Sequence, residues 1–181
     1  MKSINNYISE KLVINRNTKS KYNYFPETRK ELQDIIKQRI EEEGNNCNLN
    51  DIDVSEITDM WQLFYNSNFN GNISEWNVSN VEDMESMFEN SKFNQDISNW
   101  NVSKVKNMRE MFRESKFNKD IFKWDVSNVK DMYYMFKESN FNKDISNWDV
   151  RNVINMTCIF DDTPLEDKQK EWWSSIWEKI K

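Results

Sequence analysis

Hydrophobic positions recur along most of the chain with a period of 24 residues. Three of the recurring columns are Trp76, Trp100, Trp124 and Trp148; Phe64, Phe88, Phe112, Phe136 and Phe160; and Met60, Met84, Met108, Met132 and Met156. Self-similarity at a fixed period of this size is typical of a protein built by stacking one supersecondary unit. One copy buries too little apolar surface to offset its own ordering entropy, so we expect each repeat to be stable only against its neighbours.

The hydrophobic period changes within each repeat. Phe93 and Ile97 alternate with polar residues, which predicts a half-buried strand. Met108, Met111 and Phe112 follow at spacings of three and four, which predicts one face of a short helix or 3₁₀ turn. We therefore predict an α/β solenoid of the leucine-rich-repeat type, with one short parallel strand and one short helical turn per repeat. The strands are predicted to centre on Ile73, Ile97, Ile121 and Ile145.

The two ends of the chain depart from the repeat and are predicted to be helical caps. Pro26 and Thr28, with Glu31 three residues on, form a helix-start signature, and Gly44 suits a helix end. The predicted organisation is an N-terminal segment, 1–46, with a capping helix at about 27–43; a solenoid of about five 24-residue repeats, 47–165; and a C-terminal capping helix, 166–181.

The repeat resembles that of a known family. The phrase Phe-Asn-x-Asp-Ile-Ser-x-Trp-Asn/Asp-Val-Ser-x-Val, followed by Met-x-x-Met-Phe, is similar to the repeat of the BspA-like leucine-rich-repeat surface proteins, which also occur in bacteriophage and mobile-element genes. The similarity covers about residues 49–165. It implies a leucine-rich-repeat solenoid and a role in adhesion or protein binding, and it carries no catalytic residues over to this chain.

Composition narrows the function classes further. The chain has 25 basic and 31 acidic residues and a net charge of −6, so direct nucleic-acid binding is not expected. It has no histidine, and its two cysteines, Cys47 and Cys158, lie far apart in any stack of repeats, so we expect no disulfide, metal, cofactor or enzymatic activity. The stretch Met1 to Glu10 lacks the apolar core of a signal peptide, and no run reaches transmembrane length. We therefore expect a cytoplasmic protein without membrane contact.

Candidate contact residues stand where an aromatic side chain breaks the repeat. Phe122 occupies the position filled elsewhere by Ser74, Ser98 and Ser146. Tyr133 and Tyr134 occupy variable positions of the predicted helical turn, and Trp61 does so in the opening copy. Exposed aromatics near arginine are typical of interface hot spots. The predicted strand face adds Asn94, Asp96, Asn118 and Asp120. Turn capping explains the recurring aspartates better than calcium binding or catalysis does.

Charge is unevenly distributed along the repeats. Residues 51–100 are strongly acidic and include Glu82, Asp83, Glu85 and Glu89, whereas residues 101–124 are basic. A stack turns sequence order into spatial order, which predicts an acidic patch beside a basic one. Such a surface either steers a charged protein partner or is an ordinary solvated surface.

These patterns favour a non-enzymatic protein-binding module. The chain has no alanine and is rich in asparagine, lysine and isoleucine, as an A+T-rich genome would encode. The most concrete hypothesis is a phage- or prophage-encoded intracellular inhibitor or modulator of a host protein, such as a CRISPR or other defence nuclease. The alternative is an adhesion or structural repeat module on a bacterial surface or in a virion. The sequence leaves open the partner's identity and the oligomeric state.

Overall fold

The structure, a computed structural model, describes residues 21–165 of the 181-residue chain. Within these residues it has one helix and no strand longer than an isolated bridge. The predicted α/β leucine-rich-repeat solenoid, with a parallel strand and a helical turn in each repeat, is therefore wrong. The predicted C-terminal helix at 166–181 lies outside the described residues.

The helix, α1 (Arg29–Glu43), packs on the first layer of the repeats. The Thr28 hydroxyl accepts a first-turn amide at 3.2 Å, and Gly44 ends the helix with a φ of +86°. Leu32 and Ile36 are buried in the common core. In the C-terminal half of the helix, Arg39 forms an ion pair with Asp51 at 2.8 Å, which fixes the helix to the repeats.

Consecutive repeats are joined in register by main-chain hydrogen bonds. The isolated parallel bridges pair Asp59 with Asp83, Asp83 with Asn107, Asn107 with Asp131, and Asp131 with Asn155. After Asp83, four amides donate to carbonyls of the next repeat. The pairs are Met84 to Asn107 at 3.0 Å, Ser86 to Arg109 at 2.9 Å, Phe88 to Met111 at 2.9 Å, and Asn90 to Arg113 at 2.8 Å. Every second amide of this segment therefore bonds to the next repeat, although the segment is not a strand.

Left-handed residues prevent the predicted helical turns. Two rows have φ between 49° and 58°: Gln62, Ser86, Glu110, Tyr134 and Cys158, and Asn66, Asn90, Glu114, Glu138 and Asp162. Glu110 lies between Met108 and Met111, so the right-handed path that a helix needs is interrupted there. The spacing of three and four that suggested a helix instead comes from tight turns, one of which is closed by a bond from the Met111 amide to the Met108 carbonyl.

Side-chain hydrogen bonds replace the predicted strands. The Ser98 amide donates to Asp96 Oδ1 at 2.9 Å, and the Trp100 amide donates to the Ile97 carbonyl at 3.1 Å, so the chain turns where a strand was expected. The same Ile97 carbonyl accepts the indole N–H of Trp124 at 3.2 Å. Between Asp96 and Trp100 the bonds to neighbouring repeats therefore come from side chains. Backbone bonds join the corresponding segment in the first layer, where the Leu49 amide donates to the Asn72 carbonyl at 2.9 Å and the Asn72 amide donates to the Cys47 carbonyl at 3.2 Å.

The core contains the hydrophobic columns, as predicted. Phe69, Phe93, Phe117 and Phe141 and the methionines Met60, Met84, Met108 and Met132 are fully buried, and the four repeat tryptophans nearly so. Met156, in the last described layer, is partly buried. Rings of one column stack on each other; those of Phe88 and Phe112 are 5.6 Å apart and inclined by 3°. Each layer therefore buries part of its neighbours' apolar surface.

Candidate functional site

The turn segments present two rows of side chains that differ from repeat to repeat. The first row is Trp61, Glu85, Arg109, Tyr133 and Thr157, and the second is Tyr65, Glu89, Arg113, Lys137 and Asp161. The main chains of neighbouring layers are adjacent here, because the Ser86 amide donates to the Arg109 carbonyl and the Glu110 amide donates to the Tyr133 carbonyl. We call these two rows, together with Tyr134, the Tyr133 ribbon. Each layer contributes one pair of side chains to it.

The centre of this ribbon is a fixed aromatic and cationic cluster. The rings of Tyr133 and Tyr134 stack with centroids 3.7 Å apart. The Arg109 guanidinium lies 4.2 Å from the Tyr133 ring, and the Lys137 ammonium lies 4.8 Å from the Tyr134 ring. A hydrogen bond with Tyr134 raises the pKa of Tyr133, so the phenol stays neutral at physiological pH. The cluster is thus held by its own contacts before a partner arrives.

A second aromatic pair lies in the opening layer of the ribbon. Trp61 is 39% exposed and Tyr65 is 49% exposed. The Arg29 guanidinium lies 4.8 Å from the Trp61 ring, and its Nη1 donates to the Trp61 carbonyl at 3.0 Å. Sequence analysis missed Tyr65. The residue at this repeat position changes from layer to layer, with Glu89 and Arg113 in the next two. The same variation between repeats singled out Trp61.

The structure brings the predicted acidic and basic patches together. Lys106 pairs with Glu82 at 2.7 Å, Arg113 with Glu89 at 3.1 Å, and Arg109 with Glu85 at 3.9 Å. Asp83 Oδ2 accepts the Asn107 amide group at 3.2 Å. Each basic side chain lies 24 residues after its acidic partner, so the register places the two in neighbouring layers. Much of the predicted polarity is therefore neutralised within the chain.

Glu89 differs from the other acidic residues because it is buried. Burial raises the pKa of its carboxyl, although a hydrogen bond with Ser86 and the charge of Arg113 act in the opposite direction. Arg113 is shared with Glu110 at 3.6 Å and with Glu114 at 2.8 Å. Glu110 also pairs with Arg109 at 2.9 Å, so Arg109 and Arg113 together serve four carboxylates, which leaves an excess of negative charge at this point of the ribbon.

Phe122 lies on a different surface, between two shallow depressions. It is 37% exposed, whereas its neighbours Phe117 and Ile121 are fully buried. One depression, of about 420 Å³, is lined by Phe122 with Asn118, Lys119, Asp120, Lys143 and Asp144. The other, of about 440 Å³, is lined by Phe122 with Asp96, Ser98, Asn99, Lys119, Asp120 and Lys123. We call Phe122, its three flanking lysines and Asp120 the Phe122 surface.

The predicted polar residues near Phe122 belong largely to the framework. Asn94 Oδ1 accepts the Asn118 amide at 2.9 Å, and Asn118 Oδ1 accepts the Asn142 amide at 3.0 Å. Asp120 Oδ1 accepts the Phe122 amide at 2.8 Å, as Asp96 does for Ser98. These oxygens hold turns and layers together. Backbone hydrogen bonding lowers the pKa of Asp96, so its carboxylate stays ionised.

Within residues 21–165, no three potential metal-ligating side chains come together. The described helix, α1, is too short and too polar to cross a membrane.

Similar layers with a recurring apolar interior and two variable rows of side chains define a repeat protein. A family model described as "Mycoplasma protein of unknown function, DUF285" matches residues 30–139 and 113–179. The matched residues span most of the chain, and the chain belongs to this family of BspA-like repeat proteins. The predicted resemblance is thereby confirmed at the level of the BspA-like repeat family, whose function is unknown. No curated protein and no solved structure matches the chain.

Proposed function

We propose that this protein is a non-enzymatic binding module that captures another protein through the Tyr133 ribbon. The observation that carries the proposal is the stacked pair Tyr133 and Tyr134 with Arg109 over the Tyr133 ring. Tyrosine, tryptophan and arginine are the residues that most often dominate interface energy. A cluster that is already ordered avoids much of the entropic cost of binding.

The partner is proposed to be a host protein inside the cell, of which a defence nuclease is the most concrete case. The ion pairs of Glu82 and Glu89 with the following repeat reduce the charge available for mimicking nucleic acid. Recognition is therefore proposed to depend on the aromatic pairs of the ribbon more than on its acidic residues. Trp61 and Tyr65 supply a second anchor three layers away, or about 14 Å at the usual spacing of adjacent strands.

A comparative pull-down tests the proposal. Immobilised wild-type chain and the double variant Tyr133→Ser/Tyr134→Ser are incubated with a lysate of the source organism, and captured proteins are quantified by mass spectrometry. We expect a specific partner that the double variant retains at least about tenfold less well. Ile154→Ser is the matched control, since Ile154 is 85% exposed and lies outside the ribbon. Equal capture by the wild type and the double variant would show that the ribbon is not the contact surface.

A further inference from the structure

The ladder between layers ends at the first turn segment, because helix α1 and not another turn segment precedes it. In later layers, alternate carbonyls accept amides of the layer before; the Glu89 carbonyl, for example, accepts the Asn66 amide at 2.9 Å. The carbonyls of Leu63 and Tyr65 hold the equivalent positions in the first layer. No donor within residues 21–165 reaches either of them. The Tyr133 ribbon therefore begins with unused acceptors.

Arg29 shows which chemistry fits this edge of the ribbon. Its Nη1 donates to the Trp61 carbonyl at 3.0 Å, in place of the amide that a preceding layer would supply. Its guanidinium lies 4.8 Å from the Trp61 ring, and its Nε lies 3.4 Å from Asp59 Oδ2. One arginine thus contacts an edge carbonyl, the ring of the same residue and a carboxylate.

Tyr65, four residues after Trp61, presents the same two groups without an occupant. Its ring is 49% exposed and has no ring or cation partner in the part of the chain that the structure describes. Its carbonyl lies on the same edge as that of Trp61, because both are acceptor positions of the ladder. A planar guanidinium can stack on an aromatic ring and present several donors in one plane, which a lysine ammonium cannot do.

The charge at this end of the stack favours a cationic occupant. Residues 51–91 contain nine acidic side chains and no lysine or arginine. Six of the nine pair with basic residues from elsewhere in the chain. The other three, Asp53, Glu56 and Asp83, have no ion pair with any described residue. The remaining negative charge attracts a cation and disfavours an anion.

We infer that the Tyr65 edge, which is the Tyr65 ring with the carbonyls of Leu63 and Tyr65, binds an arginine side chain of the partner protein. The guanidinium stacks on the Tyr65 ring and donates to these carbonyls, as Arg29 does at Trp61. This inference rests on the proposed function, which makes the Tyr133 ribbon a contact surface. It adds the chemistry of the group that the partner places at the second anchor of that ribbon.

Titration of the full chain with a short peptide, followed by NMR, tests the inference. The probe is acetyl-Gly-Arg-Gly-amide, and the same peptide with lysine or citrulline in place of arginine controls for shape and for charge. We expect the arginine peptide, at millimolar concentration, to shift the Tyr65 ring signals and the Tyr65 carbonyl carbon together and saturably. It should bind at least about threefold more tightly than either control peptide. Its affinity should fall as salt increases.

Four variants locate the binding site. Tyr65→Ser should weaken binding about threefold or more, whereas Tyr65→Phe keeps the ring and should bind as the wild type does. Tyr133→Ser/Tyr134→Ser should also bind normally, because it alters the ribbon three layers away. Arg29→Gln vacates the Trp61 edge, so the Trp61 indole signals should then respond to the probe as well. Thermal melting verifies that each variant is folded.

Several outcomes would overturn the inference. They are the absence of saturable shifts, equal binding of the lysine or citrulline peptide, unchanged binding by Tyr65→Ser, and an unresponsive indole in Arg29→Gln. A dimer in analytical ultracentrifugation that Tyr65→Ser dissociates would also overturn it, because the arginine would then come from a second copy of the chain. None of these results alters the pull-down with Tyr133→Ser/Tyr134→Ser, which tests the proposed function separately.

Discussion

The indole nitrogen of Trp100 donates to the carbonyl of Ile73, 27 residues earlier, at 3.2 Å. Trp100 is buried and cannot exchange this bond for one to water. We expect Trp100→Phe to lower the free energy of unfolding by about 1–3 kcal/mol, because it removes a buried donor and part of a stacked ring. Urea denaturation measures the change. Trp61→Phe, at an exposed site, should change stability by less than about 0.5 kcal/mol, and equal losses in both variants would contradict the role of the indole bond.

Phe112 provides a second test of how the layers share their core. Its ring stacks on Phe88 at 5.6 Å, on Phe136 at 5.7 Å and on Phe117 at 4.2 Å. We expect Phe112→Ala to cost about 3–5 kcal/mol. Hydrogen exchange should show lost protection in the layers of Phe88 and Phe136 as well as in its own. Protection lost in one layer alone would mean that the repeats unfold independently, and Phe25→Ala, at an exposed ring, is the control.

Glu138 tests the cost of the left-handed turns. Its φ is 58°, which disfavours glutamate, whereas asparagine tolerates this region and already occupies the same row at Asn66 and Asn90. We expect Glu138→Asn to raise the free energy of unfolding by about 0.5–1 kcal/mol. Lys116→Asn, at an exposed site without a positive φ, should give no gain. A gain of the same size in both variants would show that backbone strain is not the cause.

The acidic residues of the second layer predict opposite responses to pH. The pKa of Glu89 is raised above its usual value near 4.5, so its contribution to stability is full below that value and is lost as pH rises through the folded pKa. The pKa of Glu82 is lowered by its hydrogen bond with Lys106, so its contribution is present above the usual value and is lost as pH falls through the folded pKa.

Unfolding experiments between about pH 3 and 7 separate these two cases. As pH rises, the wild type should lose stability relative to Glu89→Gln and gain stability relative to Glu82→Gln. Slopes of the same sign for the two variants would contradict the assigned environments. Titration of both carboxyls by NMR in the wild type gives an independent measurement of the two shifts.

Within the repeats, burial could be predicted from the sequence, but backbone conformation could not. The alternation of Phe93 and Ile97 correctly marks both as core residues, because residues at the same position of the 24-residue repeat are buried alike. The same alternation suggested a strand, yet Asp96 closes a turn there and the Trp124 indole takes the Ile97 carbonyl. Nothing in the spacing of Met108 and its neighbours reveals a left-handed glutamate.

The candidate surfaces were partly visible for the same reason. Phe122 breaks a column of serines, and the structure leaves it exposed. Lys106 and Glu82 lie 24 residues apart, so their pairing follows from the period once residues are compared by column. The sequence analysis instead compared continuous stretches of the chain, and it therefore assigned Glu82 to an acidic patch and Lys106 to a basic one.

The ladder between layers also determines which changes of chain length the protein can tolerate. Each layer presents its alternate amides to the next in the same order, so removing or duplicating any 24 consecutive residues within the repeats still leaves each donor opposite an acceptor. An insertion of one residue would instead misalign every later layer. Recombination in steps of 72 nucleotides can thus lengthen, shorten or reorder the exposed rows while the interior stays the same, and new surfaces can arise without a new fold.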